Sequence, residues 1–383
     1  VTPLRILLFY DCLYPASVGG VEHRNHELAR ALAARGHRVT LAGFADGPSS
    51  PAPGVEVLPV GRPGPLYTGA GKRSTLSAAR LARGAATIDL SPFDVIETAN
   101  IPYAHLPVLA ARCHRARKPL VVTWHEYWGL YWRRYLGASW PAYAAVERAT
   151  VPLGTAVAVS RLTADRLRAR RGGEVPVVPN GVPVAAIREA AASGKGYGPP
   201  LVYAGRLLRE KRLDLLLDAV ARLVPGRPGT LLTVLGDGPD RPRLEERAHR
   251  LGLKGAVLFA GRLPVNTDVW RWLGEARIAV QPSSREGFGL FPLEAMAAGL
   301  PVVYCESGES ALGELVEPGV HGLCTAPEPG ALAGALARLL DDESERLQLA
   351  MAARHHAEQY DWSEVAARVE EVFRMAIGKA GER

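Results

Sequence analysis

The chain has 383 residues, nearly half of them apolar, with a formal net charge of +7. That length suits two folded cores better than one, and the composition is that of a globular protein rather than a disordered or fibrous one. The charge is uneven: residues 1–195 carry 24 Lys and Arg against 13 Asp and Glu, and residues 196–383 carry 22 against 26. No apolar run approaches the roughly 18 residues that a membrane-spanning helix needs. The opening VTPLRILLFYD reads as a first strand and not as a signal peptide. Cys12, Cys113, Cys305 and Cys324 are scattered, with no C-x-x-C pair, so reduced thiols and no zinc site are expected. A cytoplasmic location is the matching expectation, with peripheral contact of the basic N-terminal domain on the inner face of a membrane as the alternative.

In chain order, RILLFY is a strand, VEHRNHELARALAARG a helix ended by Gly36, and HRVTLAGF a second strand. Further strands are expected at 94–97, 119–124, 155–160 and 175–180. A polar, glycine-rich break at 193–200 reads as a linker. The alternation then restarts. Strands are expected at 201–205, 230–236, 256–261, 278–283 and 301–305, with helices between them and a helical tail ending at roughly 363–378. Strand–helix alternation of this kind builds parallel sheets covered by helices. The expected organisation is a first Rossmann-like domain over 1–192, a linker over 193–200 and a second such domain over 201–362. The segment 363–383 could pack on either domain. Ligands of parallel sheets bind beyond the carboxyl ends of the strands.

The chemistry-bearing motifs all follow expected strands. Gly205-Arg206 with Lys211 puts two cations on a loop entering a helix, which suits a diphosphate; a solvated basic loop would look the same. In SSREGFGLFPLEAMAAGLPVV, Gly287 and Gly289 allow close backbone approach, and Pro292 fits a first helical turn. A helix starting near Leu290 would offer free amides to an anion. Glu294, one turn inside, would reach sideways to a pair of hydroxyls, and Glu286 to those of a sugar. Helix-dipole complementarity and an ordinary surface acid are the plainer readings. Gly19-Gly20 opens the first helix with another set of amides, or makes only a tight turn. His125 follows PLVVTW at a strand end. The aromatic run from Trp124 to Tyr143 spaces Tyr127, Tyr131 and Tyr135 as a helical stripe. With Trp128 and Trp132 it could contact an acceptor, face a membrane beside Arg133 and Arg134, or pack as core. Basic clusters at 112–118 and at Lys72, Arg73, Arg80 and Arg83 fit either an anionic surface or solvated helix faces.

These fragments together resemble the retaining glycosyltransferases of the two-Rossmann GT-B kind, specifically family 4. GGVEHRNHELARALAARGHRV is similar to that family's glycine loop and helix, GRLLREKRLDLLLDA to its phosphate-binding segment, and EGFGLFPLEAMAAGLPVV to its paired-glutamate signature. LGDGP, NGV at 180–182 and GVHGL at 319–323 fall in the matching order. The resemblance implies a nucleotide diphosphate sugar as donor and a hydroxyl acceptor. It assigns Glu286 to the donor sugar and Glu294 to the ribose. Arg206 and Lys211 would hold the diphosphate, with the amides of Phe288, Gly289 and Leu290. Gly205 would sit in the same loop, Gly19 and Gly20 would close over the phosphates, and His125 would touch the sugar near its 6-position. Backbone around Arg262 and Leu263 would cradle the base.

No D-x-D stands between the strand ends, so no metal or other cofactor is expected. An oxidoreductase would need G-x-G-x-x-G after the first strand, and FYDCLYPASVGG lacks it. No zinc-finger spacing, RNP motif or basic repeat supports a nucleic-acid partner. Oligomeric state is not legible.

Overall fold

The structure is a computed structural model describing residues 2–16, 19–66, 73–194, 198, 200–227 and 229–381. Ser17, Lys72 and linker residues 195–197 and 199 lie outside the described residues. The chain divides into two compact units, one of residues 1–181 with 362–383, the other of 182–361.

In the first unit the elements run β1 (Arg5–Cys12), α1 (Gly20–Ala34), β2 (Arg38–Phe44), β3 (Ser49–Ala52), β4 (Val55–Gly61), α2 (Thr75–Thr87), β5 (Val95–Ala99), α3 (His105–Arg115), β6 (Leu120–Trp124), α4 (Tyr131–Leu136), α5 (Trp140–Thr150), β7 (Thr155–Ala158) and α6 (Arg161–Arg171). The seven-stranded sheet has the order β3-β4-β2-β1-β5-β6-β7, parallel except for β3 against β4. Its central strands β1, β5, β6 and β7 are apolar or buried on both faces, as cover by two helical layers requires. In β1, Ile6 and Leu8 enter one core with Leu28 and Leu32 of α1, while Leu7 and Phe9 enter the other with Leu81, Leu106 and Leu109. This is the two-residue period of a strand at work.

The second unit runs α7 (Val184–Ala192), β8 (Leu201–Ala204), α8 (Leu213–Leu223), β9 (Leu232–Leu235), α9 (Arg241–Arg250), β10 (Val257–Gly261), α10 (Asn266–Glu275), β11 (Ile278–Gln281), α11 (Leu290–Ala298), β12 (Val302–Cys305), α12 (Leu312–Leu315), β13 (Gly322–Thr325), α13 (Pro329–Asp341) and α14 (Glu343–His356). Its six strands, in the order β10-β9-β8-β11-β12-β13, are all parallel. α15 (Trp362–Gly381) then returns to the first unit, burying Val365, Val369, Val372 and Phe373 against α1, β5 and β6.

Four sequence expectations change. The unit boundary lies at Gly181, not at 193–200, because α7 packs into the second unit. Gly274 of α10 approaches Ala191 so closely that a Cβ there would sit 1.9 Å from the Ala191 carbonyl oxygen. The segment 175–180 forms no strand, only an isolated bridge between Val177 and Ala158. β3 and β4, from SSPA and VEVLPVG, were not among the expected strands; each carries a proline. β13 extends the second sheet beyond the strand at 301–305.

Candidate active site

In the second unit, β8 ends at Ala204 and the chain turns through Gly205, at φ +154°. A Cβ at Gly205 would lie 2.8 Å from the Tyr203 hydroxyl. Exposed Arg206 follows, then a 3-10 turn, Arg209–Lys211, and Arg212 at φ +53° starts α8. Lys211 thereby leaves the turn pointing at the neighbouring strand end: its Nζ lies 2.6 Å from Glu286 Oε2. Gln281, the last residue of β11, donates from Nε2 to the same oxygen at 3.0 Å and to Ser283 Oγ at 2.8 Å. The Lys211 and Glu286 side chains are 19% and 15% exposed, so the pair is partly shielded from solvent.

The two loops are also tied through backbone. Ser284 N–H and Oγ–H both donate to the Glu210 carbonyl, at 2.8 and 3.1 Å. Glu286 is strapped on its other side: its N–H donates to Glu309 and its carbonyl accepts from Ala311. The position of Glu286 is therefore set by three segments that are far apart in sequence.

Gly289, at φ +107°, caps the N-terminus of α11, and a Cβ there would lie 2.7 Å from Leu312 Cδ2. The turn needs glycine for both reasons. The N–H groups of Leu290 and Phe291 begin α11 without partners inside the helix. Glu294, on the second turn, accepts a hydrogen bond from Trp270 Nε1 of α10 at 3.1 Å. Burial pushes its carboxyl up to about 7, against a lowering pull from that indole N–H. Past β10, Arg262 is exposed, while Leu263 lines a groove of about 630 Å³ with Ser193, Asp268, Arg271, Trp272 and Glu275. Lys211, Glu286 and Glu294 do not line this groove, so it is separate from the paired charges.

The remaining expected residues belong to the first unit. His125 follows β6; its backbone N–H donates to Asn100 Oδ1 at 3.3 Å, and its Nε2 is buried with no hydrogen-bond partner among the described residues. Burial, helped by the nearby Arg24 charge, lowers its pKa to about 3, so the imidazole is neutral. Gly20 starts α1, but Glu22 folds its carboxylate back against Gly19, where a Cβ would lie 2.6 Å from Oε2. The sequence reading of a plain amide cradle did not foresee this carboxylate, itself held by Cys12 Sγ at 3.1 Å.

The aromatic run is not one helical stripe. Tyr127 precedes Gly129, at φ +52°, and α4 begins only at Tyr131. Tyr127 and Trp132 are buried core residues; Trp128 and Tyr131 are half-buried. Glu147, fully buried on α5, organises the segment. It accepts from Tyr103 Oη (2.8 Å), Trp128 N–H (2.8 Å), Gly129 N–H (2.8 Å) and Trp132 Nε1 (3.1 Å). Only the rim is open, with Leu130 79% exposed beside Arg133 and Arg134.

Sequence reasoning missed Gln281, Ser284, Trp270 and Glu147. A polar residue closing the apolar strand IAVQ was a usable signal for Gln281. Nothing local marks the others, whose partners lie 15 to 74 residues away. Among the described residues no group of three or more His, Cys, Asp or Glu is placed to hold a metal ion, and no helix is long and apolar enough to cross a membrane.

Two Rossmann-like units with polar residues gathered at strand ends define the GT-B architecture. The fold matches a sucrose-phosphate synthase from Thermosynechococcus elongatus with a TM-score of 0.83 at 22% identity, over 98% of this chain and 100% of that one. It also matches Anabaena HepE, solved with UDP-glucose, with a TM-score of 0.72 at 23% identity, over 97% and 100%. The family model of glycosyl transferases group 1 matches residues 189–356, and that of glycosyltransferase family 4 matches residues 18–186. The chain belongs to this glycosyltransferase family. Glycogen synthase of Mycobacterium tuberculosis is 37% identical over 212 residues, 55% of this chain and 50% of that protein. A D-inositol 3-phosphate glycosyltransferase of Corynebacterium urealyticum is 37% identical over 180 residues, 45% and 42%. The matches thus span about half the length of these curated relatives or less.

Proposed function

We propose that this protein is a retaining glycosyltransferase that moves a hexose-type sugar from a nucleoside diphosphate sugar to a hydroxyl acceptor without a divalent metal. The observation that carries the reading is the Lys211–Glu286 pair, three residues ahead of the glycine that caps α11. A cation, a carboxylate and a helix N-terminus with open amides are what a phosphorylated sugar requires in one place. A relative named as a glycosyltransferase, another named as a glycogen synthase and a fold neighbour solved with UDP-glucose support it.

In this reading the donor diphosphate draws Lys211 away from Glu286. Arg206 and the amides of Phe288, Gly289 and Leu290 complete its charge balance. Glu286, still held by Gln281, then accepts from the sugar hydroxyls, and Glu294 accepts from the ribose. As the glycosidic bond breaks, negative charge grows on the leaving diphosphate. Fixed cations and amides therefore stabilise the transition state more than the ground state. The acceptor oxygen bonds to the anomeric carbon from the face that the diphosphate leaves and gives its proton to a phosphate oxygen there, so the anomeric configuration is retained. His125 is assigned to the donor sugar; its neutral ring can hydrogen-bond a hydroxyl without adding charge. The acceptor is a small sugar or cyclitol, a natural-product aglycone or a lipid-linked glycan.

The test is incubation with UDP-, GDP- and ADP-hexoses and a panel of hydroxyl acceptors, read by mass spectrometry of the products and NMR of the new anomeric centre. Transfer with retention that persists in excess chelator is expected. Inverted product, or activity lost in chelator and restored by Mg²⁺ or Mn²⁺, would overturn the corresponding part of the reading.

A further inference from the structure

The indole of Trp270 is 5% exposed and sits on α10, outside every motif that carries the family resemblance. Its one polar atom, Nε1, is directed at Glu294 on α11 rather than at solvent or a backbone carbonyl. A carboxylate on a flexible two-carbon stem has several rotamers and a free plane of rotation. A buried donor at 3.1 Å on Oε1 removes most of that freedom and leaves Oε2 without a described partner. Vicinal hydroxyls bind best to a carboxylate whose plane is already fixed, because the ordering cost is met before the ligand arrives.

We infer that Trp270 is the positioning residue for Glu294, holding one carboxylate oxygen so that the other is presented to the ribose hydroxyls of the nucleotide. This rests on the assignment of Glu294 to the ribose made above. The same N–H favours the ionised carboxylate at a site where burial works against it. Helices α10 and α11 pack against each other on buried apolar residues. Leu273, one turn on in α10, is fully buried, and Met296 and Leu293 of α11 are fully buried as well.

The test uses the full chain and two probes: whichever of UDP, GDP or ADP it binds most tightly, and the 2′,3′-dideoxy counterpart, which lacks the hydroxyls. Trp270→Phe keeps the ring and removes the donor. It is expected to weaken the ribonucleotide by about three- to tenfold, the scale of one lost charge-assisted hydrogen bond acting through a neighbour, and to leave the dideoxy nucleotide unchanged. Trp270→His, whose ring can still donate, is expected to recover part of the difference. Equal weakening of both nucleotides, or of neither, overturns the inference while leaving Glu294 in place. A wild-type chain that binds both nucleotides equally removes Glu294 from the ribose, and the inference falls with it. Should Trp270→Phe fail to fold, the indole N–H resonance of Trp270 in ¹⁵N-labelled wild-type protein decides the matter. It is expected to move with the ribonucleotide and not with the dideoxy form; a response to both alike, or to neither, overturns the proposal.

Discussion

Lys211 and Glu286 illustrate how one residue's role depends on a distant one. In the structure each neutralises the other at 2.6 Å, and Gln281 supports the same carboxylate oxygen. Lys211→Ala removes the cation expected to take the leaving-group charge. Turnover should fall by about 10²–10³, the usual scale for losing one such donor. Nucleoside diphosphate binding and steady-state transfer, measured on the same preparation, check this. Transfer at the wild-type rate would exclude Lys211 from the chemistry. The residues that sequence marked were those with motif spacing: Gly205, Lys211, Glu286, Gly289 and Glu294. What it could not mark is which partner each would meet. The Lys211–Glu286 contact spans 75 positions and depends on β8 and β11 lying side by side in the sheet.

At the scale of elements, the segment from Tyr127 to Thr150 shows where periodicity misleads. A four-residue spacing of tyrosines suggested one helix, yet Gly129 breaks the backbone, and the aromatics gather around the carboxylate of Glu147 instead. Trp128 and Trp132 lie with ring centroids 4.5 Å apart, and Trp132 and Tyr143 5.4 Å apart. Glu147→Leu would leave two buried side-chain donors and two part-buried backbone donors without their acceptor. That should cost about 2–4 kcal/mol of stability, since buried unsatisfied groups cost ~1–3 kcal/mol each and rarely add in full. Urea unfolding with near-ultraviolet circular dichroism reports both the loss and the loosened aromatic packing. Alternating strands and helices were legible because parallel sheets bury apolar runs on both faces. β3, β4 and β13 were not: β3 and β4 each carry a proline, β13 opens on a glycine, and each is specified by the neighbour it pairs with.

Across the whole molecule, buried and half-buried histidines held neutral govern the response to acid. Burial lowers His23, His105 and His356 to about 4 and His125 to about 3. An unfolded chain protonates histidine near pH 6.5, so below that value the unfolded state binds more protons than the folded one. Stability therefore declines as pH falls from about 6.5 toward 4. Glu294, raised to about 7, takes up its proton in the folded state first and offsets part of this in the same window. Glu370, lowered to about 2, adds a further loss below about 4.5, where unfolded glutamates protonate. Melting temperatures should be level from pH 8 to 7 and then drop; a melting temperature that holds steady down to pH 5 would contradict the neutral state of these rings.

α15 supplies Val365, Ala366, Val369, Val372, Phe373 and Ala376 to the core of the first unit, and Glu370 binds both Arg35 and His37. Six buried apolar side chains are together worth about 10 kcal/mol, comparable with the whole stability of a domain. A chain ended at Asp361 should therefore keep slow hydrogen exchange in residues 182–361 and lose it in β1, β2 and β5. Protection retained in those three strands would refute this. Translation gives the same feature a direction in time. As the nascent polypeptide leaves the ribosome, the half made first waits for a helix made after the half that follows it. The later-encoded unit can thus settle into its native state while the earlier one is still exposed to chaperones and proteases.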